Sequence, residues 1–315
     1  MQPMNLLLRI LAKQPIYSKY ILCHSIMARS RKKVKTKKRS GRRKSETGFK
    51  AIKDRYKIKD VPFSRGKVHK GTGESCGEIG YHYQSYRLVH QIFECFPESV
   101  QMCMFQNHPS GAFPLGAFLA LDMENLRAGV TCDNGLSTFL GILRECLDSD
   151  SRFVPIILNI RGEEENHANI LLLDLQKKRV ELYEPHGYAT SSSSGEWGIT
   201  GAYKKKMKAV QKFFKEHLPG FKKVENTTRF VQETAFQMLR DPEKNSGYCV
   251  TWTVLFVHYR LLNPNISLKV LMQYLHKRIT TMKLLQYAKF IEEQLKSANK
   301  ASNKASSKAS SKASS

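Results

Sequence analysis

Three side chains in this sequence are spaced so that together they could do chemistry that none does alone. His167 opens the segment NHANILLLDLQKKRVELYEPHG, and Glu184 closes its second apolar run 17 residues later. The polar turn Gln176-Lys177-Lys178 between the runs predicts a hairpin. A short turn returns the end of one strand to the start of the other. Imidazole and carboxylate then stand at the same end of one hairpin, where the carboxylate can accept the Nδ1–H, fix the tautomer and stabilise the imidazolium. The third residue is Cys249, in SGYCVTWTVLFVHYRLLNP, at the predicted start of an apolar helix. A thiol at a helix N-terminus feels the positive end of the dipole, which favours the thiolate. The N–H groups of that first turn are also free to donate to an oxyanion. Upstream, Gln232 and Gln237 in RFVQETAFQMLRDP each carry an amide that could serve as a second oxyanion donor in acyl transfer. Each residue has a plainer alternative: His167 one histidine among ten, Glu184 a solvated strand-end charge, Cys249 a small core hydrophobe, the glutamines surface groups.

The elements that must position these groups follow from periodicity. Strands are predicted over 153–160, 167–175 and 179–184, the first a short β-branched run. A helix over 81–96 places Tyr86, Val89, Ile92 and Phe93 on one face, and a second runs from an Asn134 cap to Leu147. An amphipathic basic helix spans 203–218 and stops at Pro219-Gly220. The apolar helix over 248–262 is ended by Asn263-Pro264, and two more follow at about 267–277 and 280–297. The resulting class is α+β, an antiparallel central sheet flanked by helices.

The ends are different. Net charge is +25, from 52 Lys and Arg against 27 Asp and Glu, and this points to polyanionic partners rather than to a fold. Residues 27–50 form a basic block with almost nothing apolar, predicted to be unordered. Its Lys- and Arg-rich stretch at 29–44 suits nuclear import or non-specific DNA or RNA binding. From Lys296 to Lys312 a lysine recurs every fourth residue among Ala, Ser and Asn, and this repeat is predicted to be a solvated coil. The organisation expected is a basic extension over 1–60, a folded domain over 61–295 and a low-complexity tail over 296–315. Met27, just before the basic block, is an alternative start to Met1. No apolar run approaches the roughly 20 residues of a membrane span. The seven cysteines include no C-x-x-C pair, and their scatter argues for free thiols in a reducing compartment. No G-x-x-x-x-G-K-[ST] phosphate loop accompanies Gly71-Thr72-Gly73 and Gly77.

The order His167, Glu184, Gln237, Cys249 resembles the clan of cysteine proteases that contains the SUMO-specific proteases and the adenovirus maturation protease. It is most similar to the homologues carried by large nucleocytoplasmic DNA viruses. The likeness is carried by His167-Ala168-Asn169, Asp174, Glu184-Pro185-His186-Gly187, Asp241-Pro242, Gly247-Tyr248-Cys249 with Trp252, and Leu261-Leu262-Asn263-Pro264. It covers roughly residues 150–275. The resemblance implies a papain-like or adenain-like fold with the nucleophile at the N-terminus of a buried helix. It implies His167 as general base, Glu184 as its orienter, Cys249 as nucleophile and Gln237 as oxyanion donor, with no metal or organic cofactor. Three features depart from the family pattern. Ala168 stands where an aromatic often follows the histidine, and Gly247-Tyr248 where an acidic residue often precedes the cysteine. Gln237 lies twelve residues before Cys249, farther than in the better-known members, which keeps Gln232 as its rival and requires Arg240 to Ser246 to loop out.

The implied substrate is a protein, a virion precursor cut after small residues such as Gly-Gly, which places the chain in the virion or host cytoplasm, or in the nucleus through the basic tract. Three other readings stand beside it: a deconjugating protease for a ubiquitin-like modifier, a same-clan acetyltransferase, and a non-catalytic nucleic-acid-binding scaffold. Several residues read as structural. His186 reads as a turn residue, His258 as a satisfied core histidine, Trp252 and Phe256 as core, and Glu163-Glu164-Glu165 as a solvated loop.

Overall fold

In the computed structural model the described residues are 40–68, 89, 92–103, 118–122, 130–131, 136–161, 166–185, 199–221, 224–227 and 248–313. The chain divides into two compact units, Met1–Arg42 and Arg43–Ser315, and nearly everything described belongs to the second. In chain order the elements are α1 (Ser40–Tyr56), β1 (Phe118–Asp122), β2 (Val130–Thr131), α2 (Leu136–Leu147), β3 (Phe153–Arg161), β4 (Asn166–Asp174), β5 (Arg179–Tyr183), α3 (Ile199–His217), β6 (Val224–Asn226), α4 (Cys249–Leu262), α5 (Leu268–Arg278) and α6 (Thr281–Ala313). The class is α+β, as the periodicity predicts.

The strands form one sheet in the order β2-β1-β3-β4-β5-β6. The central three are antiparallel, with Ile157 opposite Ile170 and Ile170 opposite Tyr183. On each side of this trio the next strand joins in parallel, β1 on β3 and β6 on β5. The sheet is therefore mixed: its centre has the antiparallel pairing expected, as does the edge pair β1–β2, and the two joints β1–β3 and β5–β6 are parallel. The hairpin turn is closed by the Lys177 N–H donating to Asp174 Oδ1 at 3.1 Å, with Lys178 in the left-handed region at φ 47°.

Pleating sorts the central strands onto two cores. Phe153, Ile157, Ile170, Leu172 and Tyr183 face a cluster built by α4, α5, α6 and the segment around Ile58 and Val61. Val154, Ile156, Leu158, Leu171, Leu173, Val180 and Leu182 face a second cluster with Phe139 and Leu143 of α2 and Val210, Phe213 and Phe214 of α3. A strand buried on both faces must be apolar at every position, which is why β4 reads Ile-Leu-Leu-Leu without alternation. Helix α4 is buried all round from Val250 to Leu261, as a helix apolar on every side should be.

Two predicted coils are helical. Helix α1 takes up the end of the basic block because apolar anchors lie just beyond it. Phe49 and Ile52 pack against the first cluster, and Lys53 Nζ lies 2.7 Å from Asp60 Oδ2. Asp60 also accepts from the hydroxyls of Tyr259 and Tyr274. Helix α6 is nucleated where Leu284, Tyr287, Ala288 and Ile291 are buried, and its backbone continues through the lysine repeat to Ala313. Extending a formed helix costs far less than starting one. The expectation of free thiols is also corrected: Cys103 and Cys146 form a disulfide that ties α2 to the segment after the turn Pro97–Gln101, where Met102 bridges Phe153 of β3. Of the predicted helix over 81–96, Val89, Ile92 and Phe93 are helical and buried, and the rest, Tyr86 included, lies outside the described residues. Among the described residues no helix is long and apolar enough to cross a membrane.

Candidate active site

The β4–β5 register decides where Glu184 stands. Ile170 is opposite Tyr183, so the next pair outward is Asn169 with Glu184. Both are buried, at 0% and 5% exposure, so Glu184 is not the solvated strand-end charge of the plainer alternative. With the Asn169 amide nitrogen turned to the carboxylate, it donates to Glu184 Oε2 at 2.6 Å and to Oε1 at 3.2 Å. The Glu184 backbone N–H donates to Thr227 Oγ1 at 3.4 Å, and Thr227 is itself buried just past β6. His167 lies two residues beyond Asn169 on β4, in register with Ile160. Its backbone position is described and its side chain is not.

Helix α4 supplies the other half. Two contacts fix its height against β5. The Phe256 ring stacks on Tyr183 with centroids 4.6 Å apart and planes 4° from parallel. Four residues on, Arg260 Nε lies 2.7 Å from Glu181 Oε2, and its Nη2 donates to Oε1 at 2.9 Å. The helix therefore runs antiparallel to β5, with its N-terminus toward the open end of the hairpin. From Phe256 back to Cys249 is about 10 Å at a rise of about 1.5 Å per residue. That is about three strand residues beyond Tyr183. Continuing the register, the β4 position at that level is His167. Cys249 is the first residue of α4, and the first helical bond is Trp252 N–H to Tyr248 O at 2.9 Å. Tyr248, the N-cap, makes no side-chain cap. The N–H groups of this first turn thus have no intrahelical acceptor, which is the arrangement an oxyanion needs. The Cys249 side chain, like that of His167, is not described.

Asn169 and Glu184 share the pleat parity of Leu171 and Leu182, whereas α4 covers the opposite face of the sheet. The position of His167 has the same parity as Asn169, so the start of α4 and the carboxylate stand at the same end of the hairpin, on opposite faces of the sheet. Gln237, Gln232, His186 and Glu163-Glu164-Glu165 lie outside the described residues. His258 is a satisfied core histidine: 2% exposed, stacked on Phe96 at 3.9 Å, with Nδ1 3.0 Å from the Tyr287 hydroxyl. Burial lowers its pKa to about 4. Trp252 and Phe256 are core.

Sequence reasoning missed the groups that hold this arrangement. Glu181 and Arg260 are both wholly buried, and Arg179 Nη2 approaches Glu181 Oε1 at 2.9 Å. Burial pushes the Glu181 carboxyl up against the opposing pull of Arg260 and Arg179. A single Glu inside RVELY and a single Arg inside an apolar helix were the available signal, because lone charges in buried runs require each other. Asn169, polar within Ile-Leu-Leu-Leu, was a signal of the same kind.

No family model matches the chain. An Acanthamoeba polyphaga mimivirus protein named for ankyrin repeats is 26% identical over 131 residues, which is 36% of this chain and 16% of that protein. Among solved structures, the Chlamydia trachomatis effector Cdu1 bound to ubiquitin is similar with a TM-score of 0.39 at 11% identity, over 67% of this chain and 92% of that one. The C. trachomatis effector ChlaDUB1 gives 0.32 at 9%, over 84% and 94%. The C-terminal Ulp1 protease domain in complex with Smt3, the yeast ortholog of SUMO, gives 0.31 at 9%, over 79% and 96%. Likenesses of this size are no ground for a shared activity, and the functional reading rests on the chain's own residues.

Proposed function

We propose that this chain is a cysteine protease that hydrolyses peptide bonds through Cys249, His167 and Glu184. One observation carries the reading: α4 begins at Cys249, at the level of His167, at the end of the hairpin where a buried carboxylate stands. In this proposal Glu184 accepts the Nδ1–H of His167 and holds the ring. His167 takes the Cys249 proton, and the thiolate attacks the peptide carbonyl. The Cys249 N–H and the Gln237 amide, or that of Gln232, stabilise the oxyanion. His167 protonates the leaving amine, and water then hydrolyses the thioester.

The substrate proposed is a virion precursor cut after small residues. The likeness to a mimivirus protein supports a viral setting. The net charge of +25 supports contact with nucleic acid through the basic ends, and a virion or nuclear location with it. The test is turnover of a fluorogenic Gly-Gly-X virion peptide beside a ubiquitin-like fusion. The wild type cleaves the peptide, and Cys249→Ala does not. Undiminished turnover by Cys249→Ala refutes the assignment. Cleavage of the fusion alone moves the reading to a deconjugating protease, and acetyl transfer from acetyl-CoA without cleavage moves it to an acetyltransferase.

A further inference from the structure

A carboxylate that is to orient a general base has to be held as well as present. Its position is set by a cross-strand partner. Asn169 is directly opposite Glu184 in the β4–β5 register, wholly buried, and its amide spans both carboxylate oxygens at 2.6 and 3.2 Å. The Glu184 main chain is fixed in turn by Thr227. An amide is an unusual choice at this position. The neighbouring residues of β4 are Ile170, Leu171, Leu172 and Leu173, all fully buried, and burying an amide among them is costly unless it is hydrogen-bonded.

We propose that Asn169 is a positioning residue for the reaction, acting through Glu184. Its amide donates to the carboxylate and sets its rotation toward the position of His167, two residues from Asn169 along the same strand. This inference rests on the protease reading above. In this proposal Asn169 acts on neither substrate nor nucleophile directly. Its effect passes through the tautomer and orientation of the imidazole, which is where a second hydrogen-bonding layer acts on a general base.

The experiment is a double-mutant cycle between Asn169→Ala and Glu184→Gln, read by kcat and KM on the Gly-Gly-X peptide with Cys249→Ala as the control. Asn169→Ala alone should lower kcat by about 10- to 100-fold with KM little changed. In the Glu184→Gln background it should lower kcat by no more than about twofold, because the group it acts through is already altered. A residue that merely fills the core would cost the same factor in both backgrounds, and that result overturns the proposal. Asn169→Asp is nearly isosteric and covers the case in which Asn169→Ala does not fold. Two carboxylates this close retain a shared proton, so the acidic limb of its pH–kcat/KM profile should move up by about one unit or more. A wild-type profile in Asn169→Asp also overturns it. If Cys249→Ala abolishes turnover and Glu184→Gln lowers it to a measurable residual level while the Asn169 variants behave additively or as wild type, the positioning role alone falls. If Cys249→Ala keeps full turnover, the protease reading falls first.

Discussion

Replacing Arg260 by methionine should destabilise the protein by about 3 kcal/mol. Arg260 is wholly buried and makes two close contacts to Glu181, at 2.7 and 2.9 Å, and its Nη1 donates to Ile266 O at 2.8 Å. Methionine keeps most of the stem volume, so little of the loss comes from a cavity. What is lost is charge-assisted bonding, at about 1.5–3 kcal/mol for each bond, and Glu181 is left as a buried carboxylate. Removing one partner of such a pair costs about 3–5 kcal/mol. Arg179, 2.9 Å from Glu181 Oε1, stays behind and holds the value to the lower end. In a domain of this size the change corresponds to a fall in Tm of about 6–12 °C. Urea unfolding followed by intrinsic fluorescence is a suitable assay, since Trp252 is buried in α4 itself. Replacing Glu181 by leucine in the same chain should restore part of the loss, because no lone carboxylate then remains. A loss below about 1 kcal/mol would refute the argument that this pair fixes α4 against β5.

Two further predictions concern stability. Burial lowers the pKa of His258 to about 4, against roughly 6.5 in an unfolded chain. Between those values the unfolded chain binds a proton that the native protein does not, so stability rises with pH through this window. The cost of about 3 kcal/mol is complete below pH 4 and gone above about pH 6.5. Urea midpoints at pH 4.5 and 7.5 should therefore differ less in His258→Phe than in the wild type, and an equal difference would contradict the assignment. The Cys103–Cys146 disulfide spans 43 residues of sequence. On chain entropy alone, Cys103→Ala with Cys146→Ala should cost about 4 kcal/mol. Thiol titration of the unfolded, unreduced wild type should find no more than five free thiols among its seven cysteines, and seven free thiols would contradict the bridge.

The hairpin was legible because its signal is local. Two apolar runs, a Gln-Lys-Lys turn and a fixed count between His167 and Glu184 need no knowledge of the rest of the chain. Helix α4 was legible for a similar reason, as fourteen residues with one basic side chain and no Pro or Gly. The strands β1, β2 and β6 were not, because they have five, two and three residues and owe their conformation to the neighbours they pair with. The same holds for the disulfide, since a separation of 43 residues carries no pairing information. Helix α1 was hidden by its own charge: its apolar contacts, Phe49 and Ile52, come after the basic residues that dominate its composition. The depth at which Glu184 sits was likewise outside the sequence's reach. A carboxylate at a strand end is normally wet, and here it is buried opposite Asn169 and beside Thr227.

The central claim is that the thiol of Cys249 and the imidazole of His167 meet at the open end of the β4–β5 hairpin. A crystal structure of the unliganded protein measures this directly, as the distance from Cys249 Sγ to the nearer ring nitrogen of His167. The expected value is about 3–4 Å, with the other ring nitrogen facing Glu184. A separation beyond about 6 Å is more than one bridging water can span and would contradict the claim.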